Sequence, residues 1–280
     1  MNKTIADFIA RAFEEDVQQG DHTSLACIPY QAMSQAKLLV KDTGVLAGVE
    51  LAKDIFRYLD PKFQVEVFIQ DGQTVQHGDI AFIVRGRAQL ILQAERLVLN
   101  CMQRMSGIAT LTRQYLNELQ GLTTQLLDTR KTTPTIRFLE KWAVRIAGGT
   151  NYREGLYDRI MIKDNHTDYC GGDIQTAIQR AQDYLADKGL DLPITVEVRN
   201  LQELNQVLSV GGIDRIMLDN FDLATTAQAV AIINKRFETE ASGGVSLQTI
   251  RPIALTGVDF ISVGAVTHSF RSLDLSLKKC

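Results

Sequence analysis

The stretch PITVEVRNLQELNQVLSVGGIDRIMLDN, residues 193–220, decides the fold class of this chain. It predicts a short apolar strand at Ile194–Val198, an amphipathic helix at Leu201–Val210 and a second strand at Arg215–Leu218. Short apolar strands that alternate with amphipathic helices indicate a parallel sheet that is buried on both faces. We therefore predict an α/β protein.

The same order of strand, loop and helix repeats from about residue 124 onward. Four more strands are predicted, at Thr124–Asp128, Arg159–Lys163, Phe237–Ala241 and Phe260–Val263. Four more helices are predicted, at Ile136–Ala147, Ile174–Lys188, Leu223–Lys235 and Leu247–Leu255. Six such units favour a barrel-like ring over an open, doubly wound sheet. The first strand is also not followed by a dinucleotide-binding glycine pattern, which weakens a Rossmann interpretation.

The first third of the chain has a different pattern, typical of a small antiparallel sheet with helices on one face. Strands are predicted at Ala36–Val40, Val45–Val49, Val65–Ile69 and Ile80–Val84, and a helix at Asp54–Leu59. A long helix is predicted from about Gln89 to Leu119, with a kink or a break at Ser106-Gly107.

Composition excludes several classes of protein. At 280 residues the chain exceeds one average domain, and 45% hydrophobic residues with 22% charged residues exclude a disordered chain. A net charge of −3 gives no general attraction to nucleic acid or to an anionic membrane, so neither is expected as a partner. Four cysteines lie far apart, no apolar run is long enough to span a membrane, and the first residues lack the order of a signal peptide. We predict a soluble cytoplasmic protein.

Polar or glycine residues follow every strand that is predicted in the second part of the chain. In a β/α barrel the carboxyl ends of all strands meet at one mouth, where barrel enzymes carry their active sites. The sequence therefore predicts a site at this mouth. In chain order the strand ends carry Arg130-Lys131, Lys163-Asp164, Glu197, Asp219-Asn220, Ser242-Gly243-Gly244 and Gly264.

The segment from Asp128 to Lys163 is strongly basic, with eight basic residues against four acidic ones, a local charge of +4. Such a pocket favours a multiply anionic ligand, and Arg offers a bidentate fork for carboxylate or phosphate. Three of these cations, Arg137, Lys141 and Arg145, follow one another at four-residue steps in a predicted helix. We interpret those three as a solvated helix face.

The later strand ends predict a metal and a phosphate site. Glu197 and Asp219, on adjacent strands, suit Mg²⁺, although a structural pair bonded to Arg or backbone is the alternative. The glycine segments at 242–244 and 263–265 precede helices, where backbone N–H groups bind phosphate. Together these features describe a site for two substrates, a sugar phosphate with a diphosphate group and a small polyanion.

Motifs along nearly the whole chain resemble those of the quinolinate phosphoribosyltransferase family, also called carboxylating nicotinate-nucleotide pyrophosphorylases. In the second part they are DTRKTTP at 128–134, GGTNYR at 148–153, IKDNH at 162–166, MLDNF at 217–221, EASGG at 240–244 and SVGAVTHS at 262–269. In the first part they are Glu15-Asp16, Gly20-Asp21, Thr23-Ser24, Glu95-Arg96, Leu99-Asn100 and SGIAT at 106–110.

The resemblance implies an N-terminal α/β sandwich domain at residues 1–110, with residues 270–280 packing back on it, and an open, incomplete β/α barrel at 111–269. It implies a homodimer with shared active sites and leaves open whether the dimers assemble further. It also implies Mg²⁺-dependent transfer of phosphoribose from phosphoribosyl pyrophosphate to quinolinate. Decarboxylation then gives nicotinate mononucleotide, diphosphate and CO₂, a step of NAD biosynthesis.

The resemblance also assigns roles to residues. Quinolinate is expected to contact Arg96 of the neighbouring subunit together with Arg130, Lys131, Tyr152, Arg153 and Lys163. Catalytic roles fall to Lys131, Lys163, Glu197 and Asp219, with the two acids near the metal. Phosphate is expected at Ser242, Gly243, Gly244, Gly264 and Ala265.

Two positions depart from the family pattern, and two rival functions remain open. Tyr152 stands where the family usually has His, and Thr135 where it usually has Gly. Tyr donates a hydrogen bond but carries no positive charge at neutral pH, which lowers the charge around quinolinate by up to one. The rivals are a paralogue, such as the molybdenum-transport-associated relative or a nicotinate phosphoribosyltransferase, and an inactive oligomeric binding protein.

Overall fold

A computed structural model describes residues 3–280, which divide into two compact units. The first unit holds the residues up to Leu111 together with Phe270–Cys280, and the second holds Thr112–Ser269. No helix within residues 3–280 is both long and apolar enough to cross a membrane.

The first unit is built from short strands and four helices. In chain order its elements are α1 (Lys3–Val17), α2 (His22–Cys27), β1 (Met33–Val40), β2 (Gly44–Val45), α3 (Val49–Leu59), β3 (Gln64–Val67), β4 (Thr74–Val75), β5 (Ile80–Arg87) and α4 (Ala88–Glu118), whose last residues belong to the second unit.

The second unit alternates strands and helices. In chain order its elements are β6 (Gln125–Leu127), α5 (Arg137–Ile146), β7 (Ile160–Ile162), α6 (Asp164–Tyr169), α7 (Ile174–Lys188), β8 (Ile194–Val198), α8 (Leu201–Val210), β9 (Arg215–Asp219), α9 (Leu223–Ile233), β10 (Glu238–Ser242), α10 (Ile250–Ala254), β11 (Phe260–Ser262) and α11 (Ala265–His268). The chain then returns to the first unit with β12 (Leu275–Lys279).

The larger sheet of the first unit is antiparallel, in the order β12-β1-β5-β3, and β2 pairs with β4 in a separate two-stranded sheet. Buried side chains of α3 pack on the larger sheet. The ring of Phe56 on α3 lies 6.2 Å from that of Phe82 on β5, in an edge-to-face arrangement. Such a pair adds to the free energy that burial of the two rings already supplies.

Two details of the first unit differ from the prediction. Val45–Val49 is not a strand beyond β2, because Gly48 adopts a left-handed φ of 98° and α3 begins at Val49. Helix α4 is continuous through Ser106-Gly107. Ser106 Oγ accepts from Ala47 N at 2.9 Å, and a side chain at 107 would collide with the backbone of Arg271. The glycine therefore permits close packing of the chain and does not break the helix.

The second unit contains the predicted open β/α barrel. Its six strands are all parallel, in the order β6-β11-β10-β9-β8-β7, which leaves β6 and β7 as the two edges. Segment 150–152 lies along the edge of β6, where Thr150 bridges Leu127. All five residues of β8 are buried, as expected for a strand between the barrel interior and a layer of helices.

Candidate active site

A cavity of about 720 Å³ lies at the carboxyl ends of the six barrel strands. This volume falls within the range of small-molecule sites. The lining residues are Thr129, Arg130, Lys131, Tyr152, Arg153, Met161, Lys163, Glu197, Met217, Asp219, Asn220, Ser242, Gly243, Gly244, Val245, Ser262, Gly264, Ala265 and His268.

The cavity brings together twelve residues that the sequence analysis singled out. They are Arg130, Lys131, Tyr152, Arg153, Lys163, Glu197, Asp219, Ser242, Gly243, Gly244, Gly264 and Ala265. Of the predicted site residues only Arg96 is absent from this lining, and it lies exposed on α4 in the first unit. The predicted contact of Arg96 with a neighbouring subunit's site stays a prediction.

One wall of the cavity is cationic: it carries Arg130 and Arg153, and Asp158, the carboxylate that opposes the fall in the Arg153 pKa, does not line the cavity. Within the described residues, the buried Nε of Arg130 has no hydrogen-bond partner. Burial lowers the pKa of Arg153, and the positive charge of Arg130 lowers it further. An orphaned guanidinium N–H beside a second cation is costly unless an anion binds. This wall is therefore suited to a carboxylate or a phosphate.

The two acids lie close to each other, and Glu197 is paired with a further cavity cation, Lys163. Glu197 is 7% exposed, and its Oε2 lies 3.4 Å from Nζ of Lys163. Burial raises the pKa of Glu197, Lys163 opposes this shift, and the negative charge of Asp219 adds to it. Asp219 accepts hydrogen bonds from Ser242 Oγ and Asn220 Nδ2, both at 2.8 Å. The partners of the two acids, Lys163, Asn220 and Ser242, are all side chains that line the cavity. The acids are therefore not a structural pair bonded to Arg or backbone, which was the alternative interpretation.

The acid pair fits a divalent cation that is shared with a substrate. Burial and the nearby charge of Asp219 both disfavour the ionised form of Glu197, and a bound cation would relieve this by neutralising negative charge. Among residues 3–280, no group of three His, Cys, Asp or Glu is arranged to hold a metal alone. A cation here would thus depend on substrate oxygens for the rest of its shell, as Mg²⁺ commonly does.

The glycine segments form a further wall, where the backbone lies open to a ligand. Gly243 and Gly244 have left-handed φ values of 99° and 56°. A Cβ at Gly243 would collide with the side-chain amide of Asn220, whereas a Cβ at Gly244 would meet nothing within 4 Å. Gly264 precedes α11, and a Cβ there would lie 3.0 Å from Lys131 Cδ.

Tyr152 lines the cavity, but its hydroxyl is engaged inside the barrel. It lies 2.9 Å from Thr195 Oγ1, and its ring lies 5.4 Å and 5.2 Å from the guanidinium carbons of Arg159 and Arg215. Burial raises the pKa of Tyr152, and the negative charge of Glu240 raises it further. The phenol therefore stays neutral at any physiological pH.

One interpretation of the basic helix is wrong. Lys141 is not part of a solvated face, because it is fully buried and its Nζ lies 2.5 Å from Oδ1 of the fully buried Asp128. Arg145 on the same helix is exposed, and Arg137 donates to Thr132 Oγ1 and to the carbonyl of Glu154. Four-residue spacing alone does not show which face of a helix turns inward.

Seven further residues line the cavity without having been assigned a role from the sequence, although Asn220 was named at a strand end: Thr129, Met161, Met217, Asn220, Val245, Ser262 and His268. Asn220 follows Asp219 at a strand end, and its φ of 55° is tolerated better by Asn than by most residues, so position and residue type together were the signal. The two methionines belong to apolar strands and carry no such signal. Thr135 does adopt a left-handed φ, 69°, at the position where the family usually has Gly.

Both units of the chain are similar to known proteins. The models for the N-terminal and C-terminal domains of quinolinate phosphoribosyl transferase match residues 21–106 and 108–278. The chain is 45% identical over 285 residues to a chloroplastic nicotinate-nucleotide pyrophosphorylase [carboxylating] of Arabidopsis thaliana, covering 96% of this chain and 81% of that protein. It is 39% identical to a probable nicotinate-nucleotide pyrophosphorylase [carboxylating] of Bacillus subtilis, covering 95% and 90%.

A solved structure gives the same result. The chain matches the crystal structure of NadC from Streptococcus pyogenes with a TM-score of 0.91 and 35% identity, over 99% of this chain and 97% of that one. Both units of the chain are covered by the family models, by the sequence identity to these relatives and by the structural match. The chain therefore belongs to the quinolinate phosphoribosyltransferase family.

Proposed function

We propose that the chain transfers phosphoribose from phosphoribosyl pyrophosphate to quinolinate and decarboxylates the adduct, giving nicotinate mononucleotide, diphosphate and CO₂ for NAD biosynthesis. The observation that carries this proposal is the buried, unpartnered Nε of Arg130 beside Arg153 in the barrel-mouth cavity. Two neighbouring cations, one with an unpartnered N–H, match a dicarboxylate better than a monocarboxylate such as nicotinate.

Quinolinate is proposed to occupy the cationic wall. Arg130 and Arg153 would bind its two carboxylates, and Lys131 and Lys163, which line the same cavity, would complete the cationic surround. The ring of Tyr152 would form part of the floor. Arg96 is proposed to reach this site from the partner subunit of a homodimer.

The sugar phosphate is proposed to occupy the remaining walls. Ser242, Gly243 and Gly244, with Gly264 and Ala265, would bind phosphate through backbone N–H groups and the Ser242 hydroxyl. Glu197 and Asp219 would hold Mg²⁺, which when bound supplies positive charge that neutralises the diphosphate leaving group. Their own negative charge would face the sugar carbon that becomes positive as diphosphate departs.

The chemistry needs positioning and charge and no covalent nucleophile. As the bond to diphosphate breaks, its electron pair leaves with diphosphate, and the quinolinate ring nitrogen supplies the pair that forms the new bond. The nitrogen then carries a formal positive charge. Loss of the adjacent carboxylate as CO₂ leaves its bonding electrons on the neighbouring ring carbon, beside that charge. The carbon finally takes up a proton, and the proposed donor is the ammonium group of Lys163, which lines the cavity beside Glu197 and regains its proton from water.

The wider context is proposed on the same basis. The partners are two small-molecule substrates and a second copy of the chain, with neither nucleic acid nor membrane. The cytoplasm is the proposed location, although the Arabidopsis thaliana relative is described as chloroplastic and a Nicotiana tabacum relative as mitochondrial.

One assay tests the proposal. Pure protein with quinolinate, phosphoribosyl pyrophosphate and Mg²⁺ should give nicotinate mononucleotide and CO₂, and nicotinate in place of quinolinate should give far less product. Turnover of nicotinate without turnover of quinolinate would contradict the proposal and favour the rival phosphoribosyltransferase. Absence of turnover with both substrates would favour an inactive binding protein.

The metal role has its own test. Glu197→Gln and Asp219→Asn remove one charge each at nearly constant shape, so each should weaken Mg²⁺-dependent binding of phosphoribosyl pyrophosphate about tenfold or more, while the dissociation constant for quinolinate changes about twofold at most. Isothermal titration calorimetry of both ligands measures the two effects. If quinolinate affinity falls instead, the acids act outside a metal site.

A further inference from the structure

The ion pair between Asp128 and Lys141 is buried, and both of its members bond to the backbone of the cavity residue Tyr152. Both side chains are 0% exposed, and Nζ lies 2.5 Å from Oδ1. Burial of two charges is costly, and apolar residues of similar volume often serve stability equally well or better. Stability alone therefore does not account for this pair.

The pair holds the backbone of Tyr152 at two points. Oδ1 of Asp128 accepts from Tyr152 N at 2.8 Å, and Lys141 Nζ donates to the carbonyl of Tyr152 at 3.2 Å. The adjacent Asn151 also bonds to both residues of the pair when its side-chain amide is oriented so that its nitrogen and its oxygen each have a hydrogen-bond partner. In that orientation its nitrogen donates to Asp128 Oδ2 at 2.8 Å and to the Lys141 carbonyl at 2.9 Å.

The two segments that meet at this pair carry the two arginines of the cationic wall. Arg153 directly follows Tyr152, and Arg130 lies two residues after Asp128. The charge of Arg130 lowers the pKa of Arg153, so the two cations repel each other when no ligand is bound. A rigid ion pair that is bonded to both segments would hold them in place against that repulsion.

We propose that Asp128 and Lys141 are positioning residues, which clamp the Tyr152 peptide and thereby set the separation of Arg130 and Arg153 for a ligand with two carboxylates. This inference rests on the proposed function for the identity of the ligand. The clamp itself rests on the hydrogen bonds alone. Neither side chain lines the cavity.

Three variants test the clamp, with calorimetry of quinolinate and of phosphoribosyl pyrophosphate with Mg²⁺ as the first readout. Lys141→Met removes the cation and the bond to the Tyr152 carbonyl. Asp128→Leu with Lys141→Met replaces the whole pair by apolar side chains of similar size. Ile178→Ala is the control, because Ile178 is a fully buried residue of α7 that does not line the cavity.

The clamp predicts that Lys141→Met and the double variant both weaken quinolinate binding about tenfold or more, because small displacements of binding groups are costly. Their affinity for phosphoribosyl pyrophosphate should change about twofold at most, and the apolar double variant should regain thermal stability without regaining quinolinate affinity. Ile178→Ala should lose stability and keep both affinities. A double variant that binds quinolinate as the unmodified protein does would overturn the proposal.

Amide hydrogen exchange separates failure of the clamp from failure of the proposed function. Exchange in the peptide that contains residues 150–153 should become faster in Lys141→Met than in Ile178→Ala at matched global stability. This readout needs no ligand. If the unmodified protein binds no quinolinate, the proposed function fails while the exchange result still decides the clamp. Equal exchange in the two variants would refute the clamp even where quinolinate binds.

Discussion

Tyr152 departs from the family pattern, yet its side chain still lines the cavity and is bonded inside the barrel. A histidine at this position would bring a titratable nitrogen, whereas the phenol of Tyr152 bonds to Thr195 and stays neutral. Thr195 is fully buried, so the hydroxyl satisfies a group that water does not reach. The ring lies near Arg159 and Arg215, where an aromatic face is favourable to two cations.

Removal of this hydroxyl should therefore affect stability more than ligand binding. Tyr152→Phe should lower the free energy of unfolding by about 0.5–1.5 kcal/mol, since one buried hydrogen bond is lost. The dissociation constant for quinolinate should change about twofold at most, because the hydroxyl is already occupied by Thr195. Urea denaturation and calorimetry measure these two quantities.

The matched control is Tyr157→Phe, since Tyr157 is 75% exposed and the change should alter neither quantity. A large loss of quinolinate affinity in Tyr152→Phe alone would show that the hydroxyl turns to the ligand.

At the scale of elements, β9 and β10 meet at their carboxyl ends through a tight contact between loops. Asn220 N donates to the Ser242 carbonyl at 2.9 Å, and Ser242 Oγ donates to Asp219. The next residue, Gly243, lies against the Asn220 amide with no space for a Cβ. The acid pair and the glycine wall are thus supported by the same contact.

Two alanine variants separate this close approach from backbone strain. Gly243→Ala should lower the free energy of unfolding by about 2–4 kcal/mol, because it adds both a left-handed alanine and a collision with Asn220. Gly244→Ala should cost about 1 kcal/mol, because its Cβ would enter open space and only the left-handed conformation is unfavourable. Urea denaturation of both variants gives the comparison, and equal losses would mean that Asn220 yields without cost.

Between β6 and α5, the buried Asp128 predicts a pH dependence of stability. Burial raises the pKa of Asp128 from 3.8 to about 6, although Lys141 opposes the shift. The folded state then binds more protons than the unfolded state between those values, so this group's contribution to stability is present below pH 3.8 and is lost as the pH rises through about 6.

The unfolding free energy of the unmodified protein should therefore fall, relative to that of Asp128→Asn, by up to about 3 kcal/mol between pH 4 and pH 7. Urea titrations of both proteins at several pH values measure this difference. Parallel stability curves would show that Lys141 holds the Asp128 pKa near its usual value.

Elements of the barrel were predictable where one local signal dominated. The bounds of β8 and α8 follow from an apolar run with β-branched residues and from an Asn200 cap followed by helical spacing. Two features depended on tertiary contacts that the sequence does not encode locally. Lys141 turns inward because it pairs with the buried Asp128, which lies 13 residues earlier in the chain. Helix α4 continues through Gly107 because the absence of a side chain there lets the backbone of Arg271 pack closely against it. The cavity followed from topology, since parallel strands bring their polar ends to one mouth.

For the whole molecule, the proposed homodimer makes a distinctive demand on Arg96. This residue lies exposed in the first unit, and the lining of the barrel cavity, as far as residues 3–280 define it, does not include it. If the partner subunit supplies Arg96, each active site combines the barrel of one chain with α4 of the other. Mutations in the two parts then fall in different sites of a mixed dimer.

Arg96→Ala and Arg130→Ala should each abolish turnover alone, because each removes a cation that binds a quinolinate carboxylate. In a mixed dimer, the chain with Arg96→Ala keeps an intact barrel and receives Arg96 from its partner, so one of the two sites is complete. After equal mixing and exchange of subunits, half of the dimers are mixed, which predicts recovery of about a quarter of the unmodified activity.

Arg130→Ala mixed with Glu197→Gln is the control, because both changes lie in the barrel and no mixed site is complete. Exchange is followed with a size-tagged subunit, and activity is measured as nicotinate mononucleotide formed from quinolinate. If the first mixture recovers no more activity than the control while exchange is complete, each site is built from a single chain and Arg96 does not act across an interface.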